Sequence, residues 1–409
     1  MKAIQVTTGF DINYPGGITN YVRNLHASLQ ANGVESLIIS SETKGDFDRT
    51  ISPNYFHSVS TVNRFPQYPP RKIKEDRGLI NFIELEAPDL IHIHTIYGLS
   101  QEVIAFITAS AIPYVISLHD YFLACPQIYM IDKNGNPCRV IDLEKCGKCT
   151  NAFHNKNILK LVSNKLNINL PHLDNQKKIS DRHALMSGFL EHSSLNLPVS
   201  ERVKSIFQKA YPTAKFKTVN IGNESASRFR RKNHSGNTTA AFLGTMNKQK
   251  GAELFAQIVK ATNNASISYE FYGRGENKYL EMLASYGVTI KGGYKPSELS
   301  NILEHVDVGI VLPIWEDNGP QVVMELINNG IPVFGTNVGG IPDFVEHLST
   351  GYLFNPDSPE ETAEAIQWIN NLTATEINRL MGNISPLKTN EAHAMELTKL
   401  YQQIVETTL

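Results

Sequence analysis

Short apolar runs rich in Val and Ile alternate with helix-period stretches from one end of the chain to the other. In the first half the runs are KAIQVTT, VESLIIS, DLIHIHT, PYVISLH and LNLPVS. Between the first two lies GITNYVRNLHASLQANG, which puts Tyr21, Leu25 and Leu29 on one helical face and Gly33 at its stop. Strand, helix and strand in that order begin a parallel sheet. The second half restarts the pattern with TAAFLGT, SISYEFYG, GVTIKGG, VDVGIVLP, IPVFGTN and GYLFN, separated by helical segments such as GAELFAQIVKATNN and KPSELSNILEHV. The periodicity lapses between Tyr211 and His234, where Pro, Gly, Asn and basic residues read as a linker region. The pattern therefore predicts an α/β chain of two doubly wound Rossmann-like domains. Their boundaries fall at about residues 1–215 and 216–387, and about residues 388–409 form a final helix returning to the first domain. Two such domains form a cleft, with ligands expected outside the carboxyl ends of the strands.

Composition narrows the class. The 409 residues are 41% hydrophobic and 19% charged, as in ordinary globular domains. A formal net charge of -2 gives no global footprint for nucleic acid, so none is expected as a partner. No apolar run approaches the length of about 18 residues that spans a membrane. The opening MKAIQVTTGFD turns polar too soon for a signal peptide and reads as a first strand, which points to the cytoplasm.

One region, about residues 121–175, breaks the alternation and reads as an insertion in the first domain. It holds all four cysteines, Cys125, Cys138, Cys146 and Cys149. Without an export signal, disulfides are disfavoured. A C-x-x-C with two nearby partners suits a closed, tetrahedral thiolate zinc site, with free thiols as the alternative. A catalytic metal is not expected there, because four thiolates leave no open position. The cysteines are followed by the basic stretch FHNKNILKLVSNKLNINLPHLDNQKKISDRH. It reads as a solvated face or as a surface for an acceptor or for peripheral membrane contact.

The stretch WEDNGPQVVMELINNG raises a chemical question, because Glu325 sits amid Val322, Val323, Met324, Leu326 and Ile327. Burying a lone carboxylate costs several kcal/mol unless something pairs with it. A strand ends near Trp315, Pro320 suits the first helical position and Gly330 closes the helix. Such a helix aims backbone N–H groups out of the carboxyl edge of a sheet, a ready anion site. Glu325, one turn beyond Gln321, could accept two hydrogen bonds from a vicinal diol, or could pair with a buried Arg.

The longer run DNGPQVVMELINNGIPVFGTNVGGIPDFV resembles glycosyltransferase family 4: an acid, a Glu after seven residues, a Gly-x-Pro-Val strand and a Gly-Gly-x-Pro-acid loop. The likeness extends over nearly the whole chain. YPGGITNYVRNLHASLQANGVE is similar to the family's Gly-Gly loop, and DLIHIHTIYG and VISLHDYFLACP to its His-bearing strand ends. FLGTMNKQKG is similar to its donor-phosphate strand and FYGRGE to its Gly-x-Gly turn. The resemblance implies a GT-B architecture, two Rossmann-like domains facing each other across a cleft. It also implies retaining transfer of a sugar from a UDP- or GDP-sugar to a saccharide or lipid-linked saccharide, as in cell-envelope polysaccharide or glycoconjugate synthesis.

By motif position, the resemblance implies that Asp317 contacts the donor sugar, Glu325 the ribose and Lys250 the diphosphate. His119 would bond the sugar or orient the reacting hydroxyl. Gly16, Gly17, Arg274, Asn318, Gly319, Pro320 and Gln321 complete the implied donor site. Plainer readings stand beside these: Gly16-Gly17 as an ordinary turn, His119 as a structural histidine, and His92 and His94 as strand histidines filling hydrogen bonds. Departures from the pattern are Asp317 and Asp343 where Glu is usual, and Thr245 where Arg commonly follows the glycine, with Lys248 or Arg274 as substitutes. No Asp-x-Asp motif is placed to hold a metal on the diphosphate, so no cofactor is expected for catalysis and zinc would be structural only. Two other functions share the architecture: a nucleotide-sugar 2-epimerase, and a sugar-binding partner subunit with a decayed donor site.

Overall fold

The computed structural model describes residues 1–8, 16–41, 55–58, 77–96, 99–149, 176–229 and 232–408. Two compact units emerge: Met1–Val219 with Glu391–Leu409, and Asn220–Asn390.

The first unit is built on parallel strands β1 (Lys2–Thr8), β2 (Glu35–Ser41), β3 (Tyr55–Ser58), β4 (Leu90–Ile93), β5 (Tyr114–Leu118) and β6 (Leu195–Pro198), in spatial order β3-β2-β1-β4-β5-β6. All side chains of β4 and β5 are buried, as expected for central parallel strands covered on both faces. β3 is absent from the pattern-based reading. It is a four-residue edge strand, too short for periodicity to register. The helix Asn390–Thr408 belongs to this unit and buries His393, Ala394, Leu397, Leu400 and Tyr401.

The second unit repeats the plan with β7 (Thr238–Met246), β8 (Ile267–Gly275), β9 (Thr289–Gly292), β10 (Val308–Val311), β11 (Val333–Thr336) and β12 (Gly351–Phe354), ordered β12-β11-β10-β7-β8-β9. Its sheet is covered on both sides. One apolar cluster gathers Phe242, Phe255, Phe271 and Phe334, the other Leu243, Val323, Leu326 and Ile341. Both sheets change winding direction between their first and fourth strands, at β1/β4 and β7/β10. Ligands of such sheets collect at the carboxyl ends beside that reversal.

The region read as a linker is partly ordered backbone. Lys217 and Val219 donate to the carbonyls of Asn196 and Pro198, so the chain runs beside β6 before the unit boundary. One residue of the basic stretch needs correction. The stretch's first part, residues 153–175, and the loop 9–15 before Gly16 lie outside the described residues. The remainder enters the helix Gln176–His192, where Arg182 is 2% exposed and donates to the carbonyls of Phe122 and Leu123. Arg182 is therefore an internal strut rather than part of a solvated face. Among the described residues, no helix is long and apolar enough to cross a membrane.

Candidate active site

In the second unit, the loops leaving β7 and β10 meet at the winding reversal. The Ile314 N–H donates to the Gln249 carbonyl at 2.9 Å, tying the two loops together. Gly251 caps the helix Ala252–Ala261 at φ +86°, and a Cβ there would lie 1.9 Å from the Leu312 carbonyl oxygen. Only glycine permits that approach. It brings Lys250 onto Asp317: Nζ donates to Oδ2 at 2.5 Å, and the ammonium stands 5.4 Å from the Trp315 ring centroid. Asn247 fixes the turn by accepting from the Lys250 N–H at 2.8 Å. Trp315 and Asn247 escaped sequence reasoning, since nothing in the spacing marks a ring beneath a cation 65 positions upstream.

The Gly-Gly loop closes the acid loop from the other side. The Gly340 N–H donates to the Asp317 carbonyl at 2.7 Å, and a Cβ on Gly339, at φ +62°, would lie 2.2 Å from that oxygen. Asn318 is buried, and its amide Nδ2 has no partner among the described residues. A buried donor left unpaired is costly, and a ligand oxygen would satisfy it. Asp343 accepts from Asn220 at 3.1 Å.

Pro320 is the N-cap and not the first helical residue; helix Gln321–Asn328 starts one position later. The Pro320 carbonyl accepts from Val323 and Met324, while no side chain caps the helix. The N–H groups beside Gly319 thus stay available to an anion. Gln321 accepts from Asn223 at 3.2 Å, a bond inside the unit. Gly330, at φ +69°, ends the helix as expected.

Glu325 is half-buried, and no hydrogen bond or ion pair to its carboxylate occurs among the described residues. The pairing with a buried Arg is therefore not found. Burial pushes its carboxyl up to about 7, so it is a carboxylate under desolvation stress with free acceptor capacity. Arg274 is the register partner of Thr245 on the neighbouring strand and lies against Gly293. A cation thus stands one strand away from the place where the family's Arg is missing. Lys248 is exposed at the same end.

The first unit gathers a second constellation at its own reversal. Gly16 is the N-cap of the helix Gly17–Ala31 and Gly17 its first residue, with open space where a Gly17 side chain would stand. His119 follows β5 directly. Its Nε2 lies 3.2 Å from His94 Nδ1, and His94 Nε2 lies 2.9 Å from Gln5 Oε1. Burial lowers both histidines, His94 well below its usual value and His119 to about 3, so both rings are neutral. The protons can then be placed in sequence. Gln5 Oε1 only accepts, so His94 carries its proton on Nε2 and presents a bare Nδ1. His119 must donate from Nε2, which leaves its Nδ1 bare, an acceptor on a half-buried ring.

His92 bonds Ser117 at 2.8 Å and the Tyr401 hydroxyl, and Tyr21 bonds His393 at 2.7 Å. His92 thus fills a structural role as read, whereas His94 orients His119. Sequence reasoning missed Gln5 and His393; the alternation of His92 and His94 was the one available signal.

This cluster has a pH consequence. His92, His94 and His119 all titrate below their unfolded value near 6.5. The stability that they contribute is full above about pH 6.5 and is lost as the unfolded chain takes up protons below it. Amide exchange of β4 and β5 should accelerate at least tenfold in opening equilibrium between pH 7.5 and 5.5, after correction for intrinsic exchange. Unchanged protection across that range would contradict the buried neutral cluster.

None of the four cysteines is in a disulfide, and all four line one cavity in the insertion. Among the described residues, however, no group of three or more His, Cys, Asp or Glu side chains stands where it could hold a metal ion.

Comparison with known proteins bears on the family and the fold. The model described as Glycosyltransferase Family 4 matches residues 15–223, and that described as Glycosyl transferases group 1 matches residues 237–371. A sulfoquinovosyl transferase of Arabidopsis thaliana is 27% identical over 122 residues, which are 29% of this chain and 24% of that protein. The chain spans less than half the length of the curated relatives it matches. Among solved structures, sucrose-phosphate synthase from Thermosynechococcus elongatus superposes with a TM-score of 0.68 at 15% identity, covering 100% of both chains. Anabaena HepE in complex with UDP superposes with a TM-score of 0.60 at 14% identity, covering 100% of this chain and 99% of that one. The two parallel sheets, their order and these likenesses give the fold as GT-B, and with one family model matching more than half of its length the chain belongs to Glycosyltransferase Family 4.

Proposed function

We propose that this chain is a retaining glycosyltransferase moving a hexose-type unit from a UDP- or GDP-sugar onto a saccharide or lipid-linked saccharide. The observation that carries the reading is the set of groups at the β7/β10 reversal. Lys250, the uncapped helix start at Pro320 and the unpartnered Asn318 amide share one sheet edge with Asp317, and Glu325 follows one turn into the helix. Together they offer positive charge and N–H donors to a diphosphate, and carboxylate acceptors to hydroxyls. HepE, a fold relative, was crystallised with UDP and with UDP-glucose, which supports a nucleotide-sugar donor.

In this reading the diphosphate takes the place of Asp317 beside Lys250, and Asp317 turns to a donor-sugar hydroxyl. Glu325 accepts from the two ribose hydroxyls. The bond between the anomeric carbon and the diphosphate oxygen breaks as a new bond to the acceptor oxygen forms. The acceptor proton leaves with the diphosphate or to solvent. Negative charge grows on the leaving diphosphate, where Lys250 and the helix start stabilise it. Arg274 adds a second cation in place of the missing Arg at Thr245, and the bare Nδ1 of His119 accepts from a hydroxyl of the sugar or acceptor. Transfer by these residues calls for no metal on the diphosphate. Acceptor recognition is assigned to the variable first-unit loops, at the cytoplasmic face of a membrane when the acceptor is lipid-linked.

The test is incubation with a panel of UDP- and GDP-sugars, with and without saccharide acceptors, followed by NMR. Transfer with the anomeric configuration kept is the expected result. An epimerised donor formed without any acceptor would replace the transferase reading with the 2-epimerase. An inverted linkage would remove the retaining mechanism.

A further inference from the structure

The cysteine insertion uses none of the groups assigned to the donor, and its chemistry stands independently of them. Its backbone is anchored at both edges. The Phe122 and Leu123 carbonyls are held by Arg182, and Leu123 also accepts from the Tyr211 hydroxyl at 2.8 Å. The chain then winds tightly past Cys125. Ile128 and Met130 adopt φ +70° and +52°, which non-glycine residues rarely do, least of all a β-branched one. A short bridge between Ile131 and Pro137 returns the chain, and the Cys138 N–H closes it on the Met130 carbonyl at 2.7 Å. Cys146 and Cys149, three apart on the helix Leu143–Cys149, share one helical face. One short segment, anchored by Arg182 and Tyr211, thus brings four thiols to one cavity.

Each sulfur has a donor group beside it. Backbone N–H groups of Gln127 and Met130 act on Cys125, that of Asp142 on Cys146 and that of Lys133 on Cys149. The Lys145 ammonium lies 3.5 Å from Cys138 Sγ and also pairs with Asp132 at 3.3 Å. Donors aimed at sulfur stabilise the anion, and such bonds are the outer support of thiolate metal sites. A divalent cation deprotonates the thiols that coordinate it outright. A cavity lined by four cysteines selects zinc among common divalent ions once the thiols turn inward.

We propose that Cys125, Cys138, Cys146 and Cys149 bind one structural zinc ion, with Lys145 offsetting part of the excess negative charge. Four thiol protons are released on binding and no electron is transferred. The thiol side chains rotate from their positions around the cavity into ligand geometry. The ion fastens the segment that follows His119, so its role is to fix that loop rather than to take part in transfer.

The test is metal analysis of the full chain purified without chelator, combined with thiol alkylation. The expected result is about one zinc per chain, four thiols protected until a chelator is added, and less than a tenth of that zinc in a Cys146→Ser/Cys149→Ser variant. Cobalt substituted for zinc should show a thiolate-to-metal charge-transfer band. If the double variant does not fold, alkylation of the wild-type chain with and without chelator still decides. Zinc-free protein whose four thiols alkylate at once would overturn the proposal, and so would thiols released only by a reductant. Neither outcome touches donor binding, so failure here is distinct from failure of the transferase reading.

Discussion

Lys250→Ala is expected to lower kcat by about 10²–10³-fold, the loss seen when one preorganised stabiliser of developing charge is removed. The Lys250 side chain is 38% exposed and supports no core, so the variant should fold and melt within a few degrees of the wild type. Among the described residues its ion-pair partner is Asp317. In the absence of donor, that pair keeps the ammonium at the sheet edge and the carboxylate neutralised. In the proposed reaction, a diphosphate with greater charge displaces the single carboxylate. Lys250→Arg should recover part of the rate, because the charge returns with a different shape. A kcat within threefold of wild type in Lys250→Ala would remove Lys250 from the diphosphate site.

Glu325→Ala is expected to weaken donor binding by about 2–5 kcal/mol, because a desolvated hydrogen-bonding group loses its partners on both sides. The apolar neighbours Val323, Met324, Leu326 and Ile327 are all buried, so the helix itself should survive. The carboxyl is pushed up to about 7 by burial, and the proposed two-acceptor role requires the anion. Donor affinity should therefore fall as pH drops below about 7. In Glu325→Gln that dependence should vanish, with affinity low at every pH. The same raised value acts on stability in the opposite sense to the histidines: Glu325 costs stability as pH rises from its unfolded value near 4.5 through about 7. Its removal by glutamine should stabilise the second unit above pH 7, where Trp315 and Trp368 report unfolding by fluorescence. A wild-type donor affinity in Glu325→Ala would reject the ribose assignment.

The sequence pattern revealed what depends on neighbours along the chain. Every strand of the second sheet follows from an apolar run bounded by turn residues, and Glu325 stands out because its helix is otherwise apolar. β3 escaped because four residues at an edge carry no measurable period. What depends on distant encounters was hidden. Lys250 meets Asp317 through two loops brought together at the winding reversal. His119 meets His94 and Gln5 across three strands, and His393 and Tyr401 arrive from the last helix. Arg182 looked like part of a basic surface because its neighbours are lysines, yet it is buried against two carbonyls. Charge composition describes a segment; only the fold decides which member of it points inward.

The central claim is that the groups at the β7/β10 reversal hold a nucleotide sugar. Calorimetric titration of the full chain with UDP- and GDP-sugars tests it most directly, with Glu325→Ala run beside the wild type. Saturable one-to-one binding of at least one donor is predicted, weakened at least thirtyfold in the variant. No saturable binding of any UDP- or GDP-sugar by the wild-type chain would contradict it.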